Sequence, residues 1–301
     1  MPLLSRALLA DPVPTGTFGS LAAFRSAWAP GESPFDAAVL GGLTADRLGY
    51  AFAAGYTSAL RQLVPTLDRR SFACLCVTES AGAHPRAIRT ALGADGTPTG
   101  HKQWTTLASE GQVLLVAART GPEGERPALR VARVRADAPG IVISPMPPTP
   151  FAPEIGHSSV TFAATPIEGL LPGDGWDAYV KPFRTVEDIH VSGAALGYLL
   201  RVARTAAWPP NVISRLVAAI VALRGLADAP PDDPTVHVAL GGVLDGIDDA
   251  LRACESHWAS AAAEVAERWR RDAPLLGIAG RARAARLAKA WEGFEPGPVS
   301  H

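Results

Sequence analysis

The spacing of apolar positions changes twice along this chain. Up to about residue 70 the sequence is rich in Ala and Leu. Apolar residues recur at helical spacing over Ser20–Trp28 and again over Thr44–Leu63. Thr44 fits an N-cap for the second of these helices, and Pro65 lies just past its end. Between about 71 and 175 the pattern becomes one of short β-rich runs: Phe72–Val77, Gly111–Arg119, Ala128–Arg135, Ile141–Ser144 and Ser159–Phe162. Gly/Pro turns separate these runs, which predicts an antiparallel β-domain. Ser144–Pro153 holds five prolines, so it is expected to be an extended connection. From about residue 176 helical spacing returns in Phe183–Ala206, Asn211–Ala227, Pro234–Cys254, Glu255–Arg271 and Pro274–Gly293. The third and fourth of these segments can join as one long, bent helix. The expectation is a multidomain α+β chain: N-terminal helices over 1–70, a middle antiparallel β-domain over 71–175 and a C-terminal helical bundle over 176–301.

Composition narrows the classes. At 301 residues and 48% apolar, the chain can bury a sizeable core in one large domain or two to three smaller ones. The net charge is -1 and no basic run is interleaved with aromatics, which argues against nucleic acid and anionic membranes as partners. No apolar run reaches the ~18 residues that span a bilayer. Leu8-Leu9-Ala10 is broken by Asp11 and Pro12, so no signal-peptide pattern is read and a cytoplasmic location is expected. Cys74 and Cys76 alternate on one expected strand, with Cα atoms about 6.6 Å apart and parallel side chains, which is poor disulfide geometry. With Cys254 they are read as reduced, buried thiols. His157, His190 and His237 have no metal-ligand spacing and are read as structural or exposed; no metal is expected. Neither a Gly-x-Ser-x-Gly elbow nor a Gly-x-Gly-x-x-Gly turn is present. Trp258, Trp269 and Trp291 are expected to seal the bundle, and Arg281, Arg283, Arg286 and Lys289 to form a solvated basic helix face.

The chemistry-bearing residues lie in the β-rich stretch. The run Phe72–Val77 delivers Thr78, and after a Gly-rich turn and a polar hairpin a second segment presents Trp104 and Thr106. Period-2 alternation puts Trp104 and Thr106 on one strand face. An indole beside two hydroxyls suits a flat heterocycle with polar edges.

These two segments, Cys76-Val77-Thr78-Glu79 and Gly100-His101-Lys102-Gln103-Trp104-Thr105-Thr106, resemble the paired motifs of the acyl-CoA dehydrogenase family, C-x-T-E-P-x-x-G-S-D and G-x-K-x-W-I-T-N. Ala138-Pro139-Gly140-Ile141, Val160-Thr161-Phe162 with the loop Leu170–Gly175, and Ala194-Ala195-Leu196-Gly197 extend the similarity from about residue 45 to about 205. The order helix, β-domain, bundle is that family's fold. The resemblance implies FAD, held by Cys76, Val77 and Thr78 and by Trp104, Thr105 and Thr106. In the family the threonines hydrogen-bond the isoalloxazine ring and the tryptophan packs against it. It also implies a homodimer or homotetramer, a role in lipid metabolism, and an acyl-CoA or acyl-carrier thioester as substrate.

Family members carry their catalytic base, a glutamate, at one of two places. The late loop with its Arg-Asp and Glu-Gly-Thr motifs has no match after residue 205; Arg271-Asp272 is the nearest fragment. The other place is ten residues before the glycine of the first bundle helix, which is Glu187 here. Glu187, Val191, Ala194 and Tyr198 share one helix face, expected to be apolar apart from Glu187 and the Tyr198 hydroxyl. A partly desolvated carboxylate there would have a raised pKa suited to a base.

The sequence also departs from the family pattern. Ala83-His84-Pro85 replaces Gly-Ser-Asp, whose serine contacts ligand and cofactor pyrophosphate; His84 takes that substrate-binding slot. Asp188 stands where the family has arginine, with Arg184 one turn earlier as a compensating, substrate-side cation. The Arg-x-x-Phe-Gly and Gln-x-x-Gly-Gly segments that hold the adenine half of FAD are absent, and Gly241-Gly242 reads as close helix packing. Three functions stay open: an FAD-dependent acyl thioester dehydrogenase, a non-catalytic scaffold or binding module of the same fold, and a flavin oxidase or monooxygenase.

Overall fold

The computed structural model describes residues 2–29, 31–69, 71–121 and 128–294. In chain order the elements are α1 Pro2–Leu9, α2 Leu21–Ala27, α3 Pro34–Thr44, α4 Leu48–Leu63, β1 Ala73–Cys76, β2 Ala91–Leu92, β3 Pro98–Thr106, β4 Val113–Thr120, β5 Ala128–Arg135, β6 Ile141–Pro145, β7 His157–Phe162, β8 Gly169–Leu170, α5 Lys181–Thr205, α6 Pro210–Leu226, α7 Pro234–Cys254, α8 Ala263–Asp272 and α9 Gly280–Glu292. They fall into two compact units. A helical unit comprises Met1–Phe18, Ala27–Ala59 and Thr185–His301, and a β unit comprises Gly19–Ser26 and Leu60–Arg184.

The β unit holds one eight-stranded sheet in the order β6-β7-β3-β2-β4-β5-β8, with β1 also on β4. Most pairings are antiparallel, but β1 and β2 both run parallel to β4. That corrects the purely antiparallel expectation: the β2–β3 hairpin lies between β1 and β4 in the chain, so β4 returns in the direction of β1. Leu114 to Ala118 of β4 are buried on both faces, which explains their uninterrupted apolar run. Val77, Ile88, Ala117, Leu129 and Val180 form a core cluster, with Trp176 packed against it.

In the helical unit α5 is the central element, with Leu196, Leu199, Leu200 and Ala203 almost wholly buried. It meets α3 through glycines: a Cβ on Gly42 would land on the Ala194 carbonyl, and one on Gly197 on the Val39 carbonyl. α3 itself was not visible in the periodicity. Phe35 to Leu43 are buried all round, so no polar face marks a 3.6-residue repeat. Thr44 is the last residue of α3, bonded to the Leu40 carbonyl at 2.8 Å, and is not the N-cap of α4. Trp258 and Trp269 stack at 5.1 Å inside this unit, as expected, whereas Trp291 is 52% exposed. Among the described residues no helix is long and apolar enough to cross a membrane.

Candidate functional site

The two motifs of the β unit lie side by side. Beyond β1 the backbone turns tightly: Glu79 N donates to Gly82 O at 3.0 Å and Gly82 N to Glu79 O at 2.8 Å, with Gly82 at φ +110°. Gln103 N, on β3, donates to Thr78 O at 2.8 Å. The register then slips. Lys102 opposes Val160 and Thr105 opposes Ser158, which leaves both Gln103 and Trp104 opposite Ser159. This is a β-bulge, and it puts Trp104 at φ +54°. Simple alternation would place Lys102, Trp104 and Thr106 on one face. The bulge turns Lys102 and Thr105 inward instead, 0% and 1% exposed. Trp104 is 47% exposed, and its ring lies 5.9 Å from the His157 ring. Thr106 pairs with His157 in the ladder and is half-buried, as is Thr78. Trp104, Thr106 and His157 therefore share the outer face.

Beneath this face lies a buried ion pair. Glu79 Oε1 accepts from Lys102 Nζ at 2.7 Å and from the Thr90 amide and hydroxyl at 3.0 and 2.8 Å; Oε2 accepts from Arg89 N at 2.7 Å. Lys102 Nζ also donates to Val77 O at 3.2 Å. Burial pushes the Glu79 carboxyl up, but the Lys102 ammonium and the Thr90 donors outweigh it and the net direction is down. Burial draws Lys102 below its usual value against the attraction of Glu79. The pair ties the turn after β1 to β3 one residue before the bulge. Nothing in the sequence pairs these two residues: Glu79 closes the first motif and Lys102 lies near the start of the second.

The remaining sequence candidates divide. Cys76, Val77 and Thr105 are buried. Burial pushes the Cys76 thiol up to about 12, and the Thr105 hydroxyl faces it. Contacts from Cys76 and Thr105 to a ligand would therefore run through their backbone. Cys74 Sγ donates to Leu107 O at 3.0 Å. His84 and Arg184, named separately from the sequence, meet on Trp176. The His84 ring lies 6.1 Å from the indole and the Arg184 guanidinium 5.6 Å from its centroid. His84 Nδ1 accepts from Arg86 N at 3.3 Å, which leaves its Nε2 as a donor facing outward. A cavity of about 350 Å³ opens between His84, Pro85, Arg86 and Trp176. Trp176 was missed because nothing in its Leu-Pro-Gly-Asp-Gly context distinguishes it from a core tryptophan.

In the helical unit Glu187 is half-buried on α5, and Val191, Ala194 and Tyr198 on its face are buried. Asp188 is bound by Arg283 at 2.8 Å and by Arg286, both from α9, so those arginines are not a solvated face and Arg184 is not their substitute. A Cβ on Gly241 would meet Leu287 at 2.9 Å, which makes this glycine a packing site between α7 and α9. Among the described residues no group of three or more His, Cys, Asp or Glu side chains is placed to hold a metal ion.

Comparison with solved structures places this architecture. A complex of PigA with FAD and proline superposes with a TM-score of 0.67 at 13% identity, covering 92% of this chain and 90% of PigA. Butyryl-CoA dehydrogenase from Megasphaera elsdenii gives 0.65 at 16% identity, covering 87% and 83%. The prolyl acyl carrier protein oxidase AnaB gives 0.61 at 15%, covering 85% and 82%. No protein-family model and no curated protein matches the sequence. The chain has the acyl-CoA dehydrogenase fold.

Proposed function

We propose that this protein is a flavoprotein oxidoreductase that dehydrogenates an acyl thioester at its α,β positions. The observation that carries the reading is the bulge in β3. It leaves a large aromatic surface, Trp104, exposed beside Thr106 and next to Thr78, on a backbone held from below by a buried ion pair. This donor set fits an isoalloxazine ring: the indole offers a stacking plane, and the two hydroxyls are donors for its polar edge. FAD is the form the motifs favour. The structural neighbours include a protein described with FAD, a CoA-thioester dehydrogenase and an acyl-carrier oxidase, which support the class.

When bound, the flavin supplies the acceptor for the hydride leaving the β-carbon. The chain's own residues do the rest. Glu187 takes the α-proton on its carboxylate, and its partly buried position on α5 limits competing hydration. His84 Nε2, Arg86 and Arg184 around Trp176 hold the anionic handle of the thioester carrier, CoA or a carrier-protein arm. The reading extends to a homodimer or homotetramer, checked by sedimentation.

An absorption spectrum of untreated protein tests the first half. Flavin bands are expected, with Trp104→Ala and Thr106→Val lowering flavin retention at least tenfold. The second half needs Glu187→Gln: flavin retained, acyl-CoA-driven bleaching lost. Colourless protein that cannot be reconstituted with FAD supports a scaffold instead. Stoichiometric peroxide during turnover supports an oxidase.

A further inference from the structure

A cavity inside the helical unit has no part in the proposed chemistry. It is about 490 Å³, within the range of small-molecule sites, and is bounded by α5, α7, α9 and the turn before α9. Its floor is aliphatic: Leu196 and Leu199 of α5 and Leu240 and Ile247 of α7 are buried there. No Phe, Tyr or Trp side chain lines it, and the one aromatic ring among its lining residues is the His237 imidazole, so the wall is mainly aliphatic. It is roomy because small residues, among them Ala195, Ala284 and Gly280, stand on the facing helices.

Charge is distributed unevenly around this floor. Arg283 and Arg286 line the cavity and are half-buried; Asp245 and Asp248 also line it but are exposed and therefore screened by water. Arg283 donates from Nε to Asp188 at 2.8 Å and from Nη1 to Leu276 O at 2.9 Å. Those bonds fix its guanidinium at the wall and leave its Nη2 group for a ligand. A preorganised, half-buried guanidinium above an aliphatic floor matches a carboxylate carrying an alkyl chain.

We propose that this cavity is a second small-molecule site, which takes a medium-chain aliphatic carboxylate with its head on Arg283 and its chain along the leucines of α5 and α7. The site is independent of the flavin reading and lies wholly within the helical unit.

Isothermal titration of the full chain with octanoate, decanoate and decan-1-ol tests it. Decanoate is expected to bind saturably at one site per chain. Each added methylene should tighten binding about fourfold, so decanoate exceeds octanoate by about fifteenfold. Decan-1-ol, with the same chain and no charge, should bind at least tenfold more weakly. Ala284→Trp, at an exposed position on the rim, fills the space and should abolish binding with the melting temperature unchanged. Arg283→Gln should reduce decanoate to the affinity of the alcohol. The proposal is overturned if decanoate fails to saturate below its micellar concentration, or if the alcohol binds equally well. It is equally overturned if Ala284→Trp leaves binding intact, which would place the fatty acid in a different acyl-binding site, or if that variant changes only the oligomeric state.

Discussion

Replacing Lys102 with Met removes one half of an ion pair that water does not reach. The ammonium is 0% exposed and its partner Glu79 6%. Breaking a buried pair by deleting one partner costs about 3–5 kcal/mol, because the survivor is left charged in a poor dielectric. The two single variants should not be equal. After Lys102→Met the carboxylate keeps three donors, from Arg89 N and the Thr90 amide and hydroxyl, so the loss falls near the lower figure, about 3 kcal/mol. Glu79→Gln leaves an enclosed ammonium and turns a side-chain NH₂ toward one set of these donors; its loss falls near about 5 kcal/mol. The pH dependence follows from the lowered carboxyl of Glu79. In the wild type this group contributes stability above the unfolded carboxyl pKa of about 4.3, and the contribution is lost as pH falls through the lower folded value. In Lys102→Met the opposing charge is gone and burial raises the carboxyl, so acid relieves the variant. Its deficit should be largest at pH 7 and shrink toward pH 4. Urea unfolding followed by circular dichroism and tryptophan fluorescence measures both. A deficit under about 1 kcal/mol at pH 7, or one unchanged between pH 7 and pH 4.5, would refute the reasoning.

Three further outcomes are expected. His190 is fully buried, with Nδ1 2.8 Å from Val186 O, and burial pushes its pKa down to about 4. Between about 6.5 and 4 the unfolded chain therefore holds more protons on this residue, so stability falls as pH drops, by up to about 3 kcal/mol. His190→Gln should flatten that slope in urea midpoints taken across the window. All three cysteines are buried and free, and burial pushes Cys76 and Cys254 up to about 12 and about 11. Ellman's reagent at pH 8 should react with fewer than one thiol per native chain and with all of them after denaturation. Gly42→Ala drives a methyl into the Ala194 carbonyl and should cost about 3 kcal/mol. Gly246→Ala, in α7 with nothing within 4 Å, should stabilise by about 0.5–1 kcal/mol, and paired thermal melts compare the two.

Local pattern carried much of the fold. β5 spans the same Ala128–Arg135 and α7 the same Pro234–Cys254 that spacing and flanking prolines indicate, because strand alternation and helix amphipathicity are written in contiguous residues. α3 escaped for the complementary reason: a helix buried on every side has no period. Its one readable mark was its start, where the Ser33 hydroxyl accepts from Asp36 N at 3.1 Å just ahead of Pro34. The residue types of the candidate site were equally legible, since Thr78, Trp104 and Thr106 stand in recognisable motifs.

Their arrangement was decided elsewhere. One residue of slippage between β3 and β7 separates Trp104 from Lys102, and no propensity of the individual residues encodes it. Lys102 finds Glu79, His84 and Arg184 find the same indole, and Asp188 finds arginines 95 and 98 positions away. Those pairings depend on which surfaces lose water together. A side chain's charge is local information, but the dielectric around it and the partner opposite it exist only once distant segments have packed.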